Sequence, residues 1–374
     1  MRRLLFLTCA IVLADTVFYG VLVPLVPYYA SEFGLTKGEV GILNGAMGVG
    51  IIVGSVPGAY LTARLGVKRT AILGLLLLVA TSLPFGFAGE YWLLVTLRLG
   101  EGFASALSWI SAFTWIFAQA PEERRGQMLG TLISAAVVGA LIGPALGGTA
   151  GAIGVAPIFV AVALVGAAVA VWTSLTPAPP PDGELPTFRS LGALLRPRIS
   201  AGLWLIALSP LLFSALAVLS PLELSRLGWG TAAIGVVFLL GAAAEATVHP
   251  LAGRWSDRAG YRPPITTALL VSLFILAALP WVASPYLLAL LVVLAAVFFN
   301  FPLAPGTALF TDGTEKSSIG PAVAFAATNF VWASGYAVGG PLGGFLADLG
   351  GDGVSYVALV PVCLLTLVFI HKVV

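Results

Sequence analysis

Apolar runs of about 20 residues, enough to cross a bilayer core as helix, recur along almost the whole chain. They fall at roughly 4–30, 40–62, 70–88, 91–118, 127–150 and 154–175, and again near 200–222, 231–252, 263–283, 285–310, 319–346 and 353–371. Twelve spans in two groups of six leave little room for a soluble fold. Charge makes the same point: only 9% of the 374 residues are Asp, Glu, Lys or Arg, against about 25% in a soluble domain. Lipid must therefore be the solvent for most of the surface. The predicted class is an all-α membrane protein with a first bundle over 1–176, a polar linker over 177–199 and a second bundle over 200–374. The linker holds a Pro-Ala-Pro-Pro-Pro run, and its prolines and charges cannot continue an apolar helix.

The basic residues test this map. With the N-terminus placed inside, fifteen of the 18 lysines and arginines fall on the cytoplasmic side, including Arg64, Lys68, Arg124, Arg258, Arg262 and Lys316. Lys37 and Arg226 fall outside, and Arg98 lies within a span. This is the positive-inside asymmetry, and it predicts both termini in the cytoplasm. Met1-Arg2-Arg3 resembles the start of a secretory signal, but the apolar run behind it is long and contains Asp15, so we expect a permanent helix. Cys9 and Cys363 sit in apolar stretches and read as packing residues.

The two halves echo each other at an offset of 194: Pro27 with Pro221, Gly34 with Gly228, Gly41 with Gly235, Arg64 with Arg258, Gly66 with Gly260 and Gly126 with Gly320. Tandem halves are a common construction of secondary transporters, with the substrate path between them. Residues without an echo are better candidates for chemistry. Asp15, Arg98 and Glu245 are of this kind, their counterparts being Ser209, Val292 and Ile51.

Six stretches carry a family resemblance. Gly253-Arg-Trp-Ser-Asp-Arg-Ala-Gly-Tyr-Arg262 resembles the cytoplasmic signature loop of the major facilitator superfamily, and Ala59-Tyr-Leu-Thr-Ala-Arg-Leu-Gly-Val-Lys68 is its first-half equivalent. The resemblance implies gating roles for Asp257, Arg258, Gly260, Arg64 and Gly66, with Ala63 standing where the family usually has Asp. Leu97-Arg-Leu-Gly-Glu-Gly-Phe-Ala-Ser-Ala106 resembles a second motif of that family, built on Arg and Gly in a helix. Gly139-Ala-Leu-Ile-Gly-Pro-Ala-Leu-Gly-Gly148 resembles the motif associated with antiporters, and points to Gly139, Gly143, Pro144, Gly147 and Gly148. Similar glycine spacings at Gly50, Gly54 and Gly58, and in Gly340-Pro-Leu-Gly-Gly344, read as tight helix packing. The first span, Leu13 to Pro27, resembles the first helix of the tetracycline-type exporters and vesicular monoamine transporters. Leu309-Phe-Thr-Asp312 resembles the end of the amine transporters' tenth helix.

Physical reading supplies the candidate site. Asp15 stands about eleven residues into a helix of roughly 26, near the bilayer midplane at ~1.5 Å per residue. A charged carboxylate there requires water or a cation. Arg98 must find acceptors in the bundle interior, and Glu101 lies three residues on, either as a self-contained ion pair with it or with Arg98 tuning a neighbouring acid. Glu245 and His249, spaced i,i+4, can meet on one face. Asp312 has either a proton-coupling role, as the resemblance implies, or a surface position beside Glu315 and Lys316. Proton-coupling candidates are therefore Asp15, Glu245, Glu101 and Asp312. Substrate-binding candidates are Asp15, Tyr19, Asn44, Arg98, Trp109, Asn300, Asn329 and Trp332, since aromatic faces beside a carboxylate suit an organic cation. Trp115 is expected near the same cavity.

The resulting expectation is a secondary transporter that works by alternating access and exports a small lipophilic or cationic compound against protons. No cofactor is expected beyond the coupling proton, and no nucleic-acid partner. The protein is expected to be a monomer in a cell membrane, which the four lysines and the Ala, Gly and Pro richness of a high-GC prokaryote also suit. The second reading is a symporter or facilitator for an anionic or neutral metabolite, in which Arg98 would grip the substrate. An intramembrane enzyme lacks support: there is no His-Glu-x-x-His site, no Walker loop, and only two histidines, His249 and His371. A receptor without transport would show no solute flux.

Overall fold

The structure is a computed structural model that describes residues 2–181, 188–315 and 321–373. Lys316, Gly320 and the middle of the linker, for which expectations were given above, lie outside the described residues. Among those described, the chain is helical throughout: α1 (Arg2–Phe33), α2 (Lys37–Leu65), α3 (Val67–Phe85), α4 (Tyr91–Gln119), α5 (Glu122–Gly148), the short α6 (Ala150–Ile153), α7 (Val155–Leu175), α8 (Pro197–Arg226), α9 (Thr231–Ala259), α10 (Arg262–Ala278), α11 (Pro285–Asn300), α12 (Leu303–Glu315), α13 (Pro321–Gly350) and α14 (Asp352–Val373). Twelve spans were expected; among the described residues, eleven stretches have both the length and the apolarity to cross a membrane, and α13, with 30 residues, has the length but is not one of the eleven.

The tenth span is not continuous. It breaks between α11 and α12 at Phe301-Pro302, because Pro302 has no N–H to give the carbonyl of Phe298. Ser272 Oγ of α10 takes that carbonyl instead, at 3.3 Å. The interruption also leaves the carbonyl of Asn300 to a partner from another helix, described below.

The chain forms two compact units, and these are not the two halves of the sequence. One unit holds Met1–Leu25, Ala46–Pro186 and Thr231–Leu239; the other holds Val26–Gly45, Thr187–Gly230 and Leu240–Val374. Within the first unit, α5 lies on α1 along Gly139, Gly143 and Gly147. A Cβ at Gly143 would fall 2.7 Å from the Cα of Gly20, and one at Gly147 would fall 2.3 Å from the carbonyl oxygen of Val21. The same helix touches the start of α9, where a Cβ on Gly235 would meet Gly148 at 2.8 Å. That contact draws Thr231–Leu239 into the first unit. Within the second unit, α2 packs on α13: a Cβ on Gly41 would lie 2.4 Å from the carbonyl oxygen of Gly340, and one on Gly344 would lie 2.1 Å from that of Lys37. Backbones this close exclude any side chain. The segment 26–45 therefore groups with second-half helices.

The repeat is visible in the backbone. Gly34 and its mate Gly228 have φ of 62° and 88°, while Gly66 and Gly260 have φ of 83° and 79°. At Gly66 and Gly260 ψ is 161° and 175°, a region essentially restricted to glycine. Both let the chain reverse sharply between spans. Gly260→Ala is expected to cost about 1–3 kcal/mol and to lower the melting temperature in detergent, while Gly253→Ala, whose Cβ meets no neighbour within 4 Å, should not.

Candidate functional site

In the first unit, α4 sets four polar side chains on one face at helical spacing: Arg98, Glu101, Ser105 and Trp109. α1 brings Asp15 against them. Asp15 Oδ2 accepts from Ser105 Oγ and from Trp109 Nε1, each at 2.8 Å. Arg98 Nη1 donates to Glu101 Oε2 at 2.8 Å. The charge of Arg98 is felt at both carboxylates, which repel each other. All three ionisable groups are buried, with Asp15 3% exposed, Arg98 1% and Glu101 0%.

The charge balance of this cluster decides its chemistry. Two carboxylates face one guanidinium, so the fully ionised cluster carries one uncompensated negative charge. Among the described residues, Asp15 Oδ1 and Glu101 Oε1 have no hydrogen-bond partner. A buried negative charge with an open acceptor is stable only with a proton or a cation beside it. Trp109 stacks on Phe113 with ring centroids 5.5 Å apart, which leaves an aromatic surface next to the acid. Tyr19, one turn along α1 from Asp15, is half-buried. Trp115 is fully buried among Leu7, Ile11, Val12 and Leu132, so it packs the core and does not line a cavity. Ser105 was not singled out by sequence. Its signal was the 98, 101, 105 series, which puts it on the face that carries Arg98 and Glu101.

The other proton-coupling and substrate-binding candidates lie in the second unit and form three separate groups. Asn300 Nδ2 donates to Glu245 Oε2 at 3.1 Å, and His249 Nε2 lies 3.7 Å from Glu245 Oε1. The i,i+4 pair thus meets as its spacing implies. Asn44 is in a clasp between helices: its Nδ2 donates to Ser214 Oγ at 3.0 Å, its Oδ1 accepts from Tyr336 O–H at 2.8 Å, and Ser214 Oγ donates to the carbonyl of Tyr336 at 2.8 Å. Trp332 stacks on that tyrosine at 5.5 Å, and Asn329 is half-buried one turn before it on α13. Asp312 is exposed at the end of α12 and accepts from Tyr261 O–H at 2.5 Å. The bond to the Asp312 carboxylate, followed by burial, pushes the Tyr261 phenol up to about 12, so it remains a donor at any physiological pH. Asp257 and Arg258 are exposed at the end of α9, and Arg64 is exposed at the end of α2, its guanidinium 5.3 Å from the Tyr60 ring centroid.

Comparison with known proteins agrees with this architecture. The sequence profile of the Major Facilitator Superfamily matches residues 5–331 and 227–373. A chloramphenicol resistance protein of Streptomyces lividans is 30% identical over 305 residues, covering 79% of this chain and 73% of that protein. Two further relatives match over shorter stretches. The MFS-type transporter ppzB of Metarhizium rileyi is 29% identical over 140 residues, 36% of this chain. A multi-drug resistance efflux pump PmrA homolog of Lactococcus lactis is 32% identical over 169 residues, 42% of this chain. The chain spans 29% and 39% of the lengths of those two relatives. Among solved structures, a D-xylose-proton symporter superposes with a TM-score of 0.81 over 100% of this chain and 97% of its own, at 16% identity.

Proposed function

This chain belongs to the Major Facilitator Superfamily, a family of transporters and not of enzymes, and from that premise we propose that it exchanges protons for a small lipophilic or cationic organic compound, which it exports. The observation that carries the reading is the buried cluster of Asp15, Glu101 and Arg98, with its excess negative charge and open Asp15 Oδ1. A proton and an organic cation satisfy the same oxygen, and they cannot both do so. Alternating access then links release of one to capture of the other. The cationic substrate lies against the Trp109 indole, where a cation–π contact adds ~0.5–2 kcal/mol. The efflux and resistance proteins among the relatives support export, and chloramphenicol is accordingly one compound to assay. The asymmetry of lysine and arginine supports cytoplasmic termini.

The second reading, proton-coupled uptake of a neutral metabolite, draws on the superposition with a sugar symporter, which at 16% identity reflects the fold alone. Purified protein in liposomes with an imposed pH gradient separates the two. With the interior acidic, tetraphenylphosphonium or chloramphenicol should accumulate inside against its gradient, and D-xylose should not. Accumulation of the sugar driven by a proton gradient of the opposite sense, with no movement of the other two, would overturn the export reading.

A further inference from the structure

The second unit contains an ionisable group that the exchange at Asp15 does not use. Glu245 and His249 lie on successive turns of α9, half-buried, and Asn300 at the end of α11 touches both. The amide of Asn300 donates to Glu245 Oε2 at 3.1 Å, and also to the carbonyl of Ala296 at 3.1 Å. Its own backbone carbonyl, freed by the break before α12, lies 3.2 Å from His249 Nε2. A carbonyl can only accept, so His249 Nε2 carries a hydrogen and the neutral ring keeps Nδ1 as its basic site. One residue at a helix interruption therefore fixes the orientation of a carboxylate and the tautomer of an imidazole.

We propose that Glu245, His249 and Asn300 form a second protonation site, distinct from Asp15, which binds one proton shared between carboxylate and imidazole. The balance is simple. Ionised Glu245 beside neutral His249 carries one negative charge. One proton, on Glu245 oxygen or on His249 Nδ1, makes the pair neutral; a second would leave a net cation in a medium that penalises it. Asn300 N–H stabilises the ionised carboxylate, and its carbonyl stabilises the imidazolium, so both neutral arrangements keep their partners.

Among the described residues, no other charge is placed to compensate the pair. Among the described residues, the ion-pair partner of Glu245 is His249. The neighbouring α10, whose Ala268 packs beside Ala252 and Phe301, carries Arg262 as its charged residue, and Arg262 donates to the carbonyl of His371. α11 carries Tyr286 near its far end. α12 carries Asp312, engaged by Tyr261, and Glu315. On α9 itself, Arg254, Asp257 and Arg258 come more than a turn beyond His249 or at the helix end.

The binding of this proton stands independently of the exchange proposed for Asp15; its use in transport rests on that reading. The test needs no substrate. Infrared difference spectra of the purified full-length protein between alkaline and acidic pH should contain a carboxylic-acid carbonyl band that Glu245→Gln removes. Glu245→Gln keeps an acceptor for Asn300 and should remain folded. Glu245→Asp, as a second variant, should keep the band at a shifted frequency. In His249→Gln the proton has only the carboxylate to occupy, so the band should grow. A spectrum unchanged by Glu245→Gln, or unshifted by Glu245→Asp should the glutamine variant not fold, overturns the site. In liposomes, Glu245→Gln should bind tetraphenylphosphonium as the parent does but lose about tenfold or more of its pH-driven accumulation. Loss of binding together with accumulation would instead make Glu245 part of the cation site and overturn its separate role.

Discussion

Asp15→Asn is expected to give a folded protein that no longer couples the movement of an organic cation to a pH gradient. Asparagine keeps the shape of aspartate and, through its side-chain oxygen, an acceptor for Ser105 and Trp109, both 2.8 Å from the present carboxylate. What it lacks is the charge. The cluster of Asp15, Glu101 and Arg98 then has one carboxylate for one guanidinium and is neutral, so the site no longer requires a proton or a cation. Binding of tetraphenylphosphonium should weaken by about tenfold or more, the loss of a desolvated charge contact of more than ~1.4 kcal/mol. Accumulation driven by an acidic lumen should fall to that of protein-free liposomes. Proton-driven accumulation at the parent rate by a folded Asp15→Asn variant would remove Asp15 from the mechanism. If Asp15 only joined α1 to α4, the variant would lower the melting temperature and leave the pH dependence of transport intact.

The largest effect on stability is expected at Arg98. Arg98 and Glu101 are buried almost completely and joined at 2.8 Å. Replacing Arg98 by methionine keeps much of the volume but leaves two carboxylates in an apolar interior with no positive charge to offset them. Breaking a buried pair from one side costs about 3–5 kcal/mol, so Arg98→Met should give little folded protein at neutral pH. Removing both partners is different, because the desolvation of two charges disappears along with their attraction. Arg98→Met with Glu101→Leu should recover most of the folded yield, read from monodisperse protein in size-exclusion chromatography and from the melting temperature. Recovery of the fold without recovery of transport would mean that the pair serves coupling. A double variant no more stable than Arg98→Met would show that Arg98 is held by other contacts and that its bond to Glu101 matters little.

Much of this protein was legible in its sequence, for reasons rooted in the solvent. A bilayer core requires long apolar helices whose backbone bonds are all satisfied internally, and so the apolar spans and the fold class follow from the spacing of apolar runs. The glycines at Gly66 and Gly260 could be paired by offset alone, since both turns demand a backbone that only glycine adopts readily. The meeting of Glu245 with His249 and of Arg98 with Glu101 was equally accessible, because i,i+4 and i,i+3 neighbours on a helix share a face whatever surrounds it.

Tertiary structure alone decided which helices face one another. Asp15 and Ser105 are 90 positions apart in the chain, and no local rule brings them within hydrogen-bond distance. The same holds for Asn44, which a sequence reading places among substrate ligands but which bonds Ser214 and Tyr336 across helices. It holds again for Trp115, whose ring fills the core. The grouping of 26–45 with second-half helices, and of 231–239 with first-half ones, comes from backbone approach at Gly41 and Gly340 and at Gly148 and Gly235. Sequence fixes where a glycine stands along its own helix; which backbone it admits depends on how the helices pack.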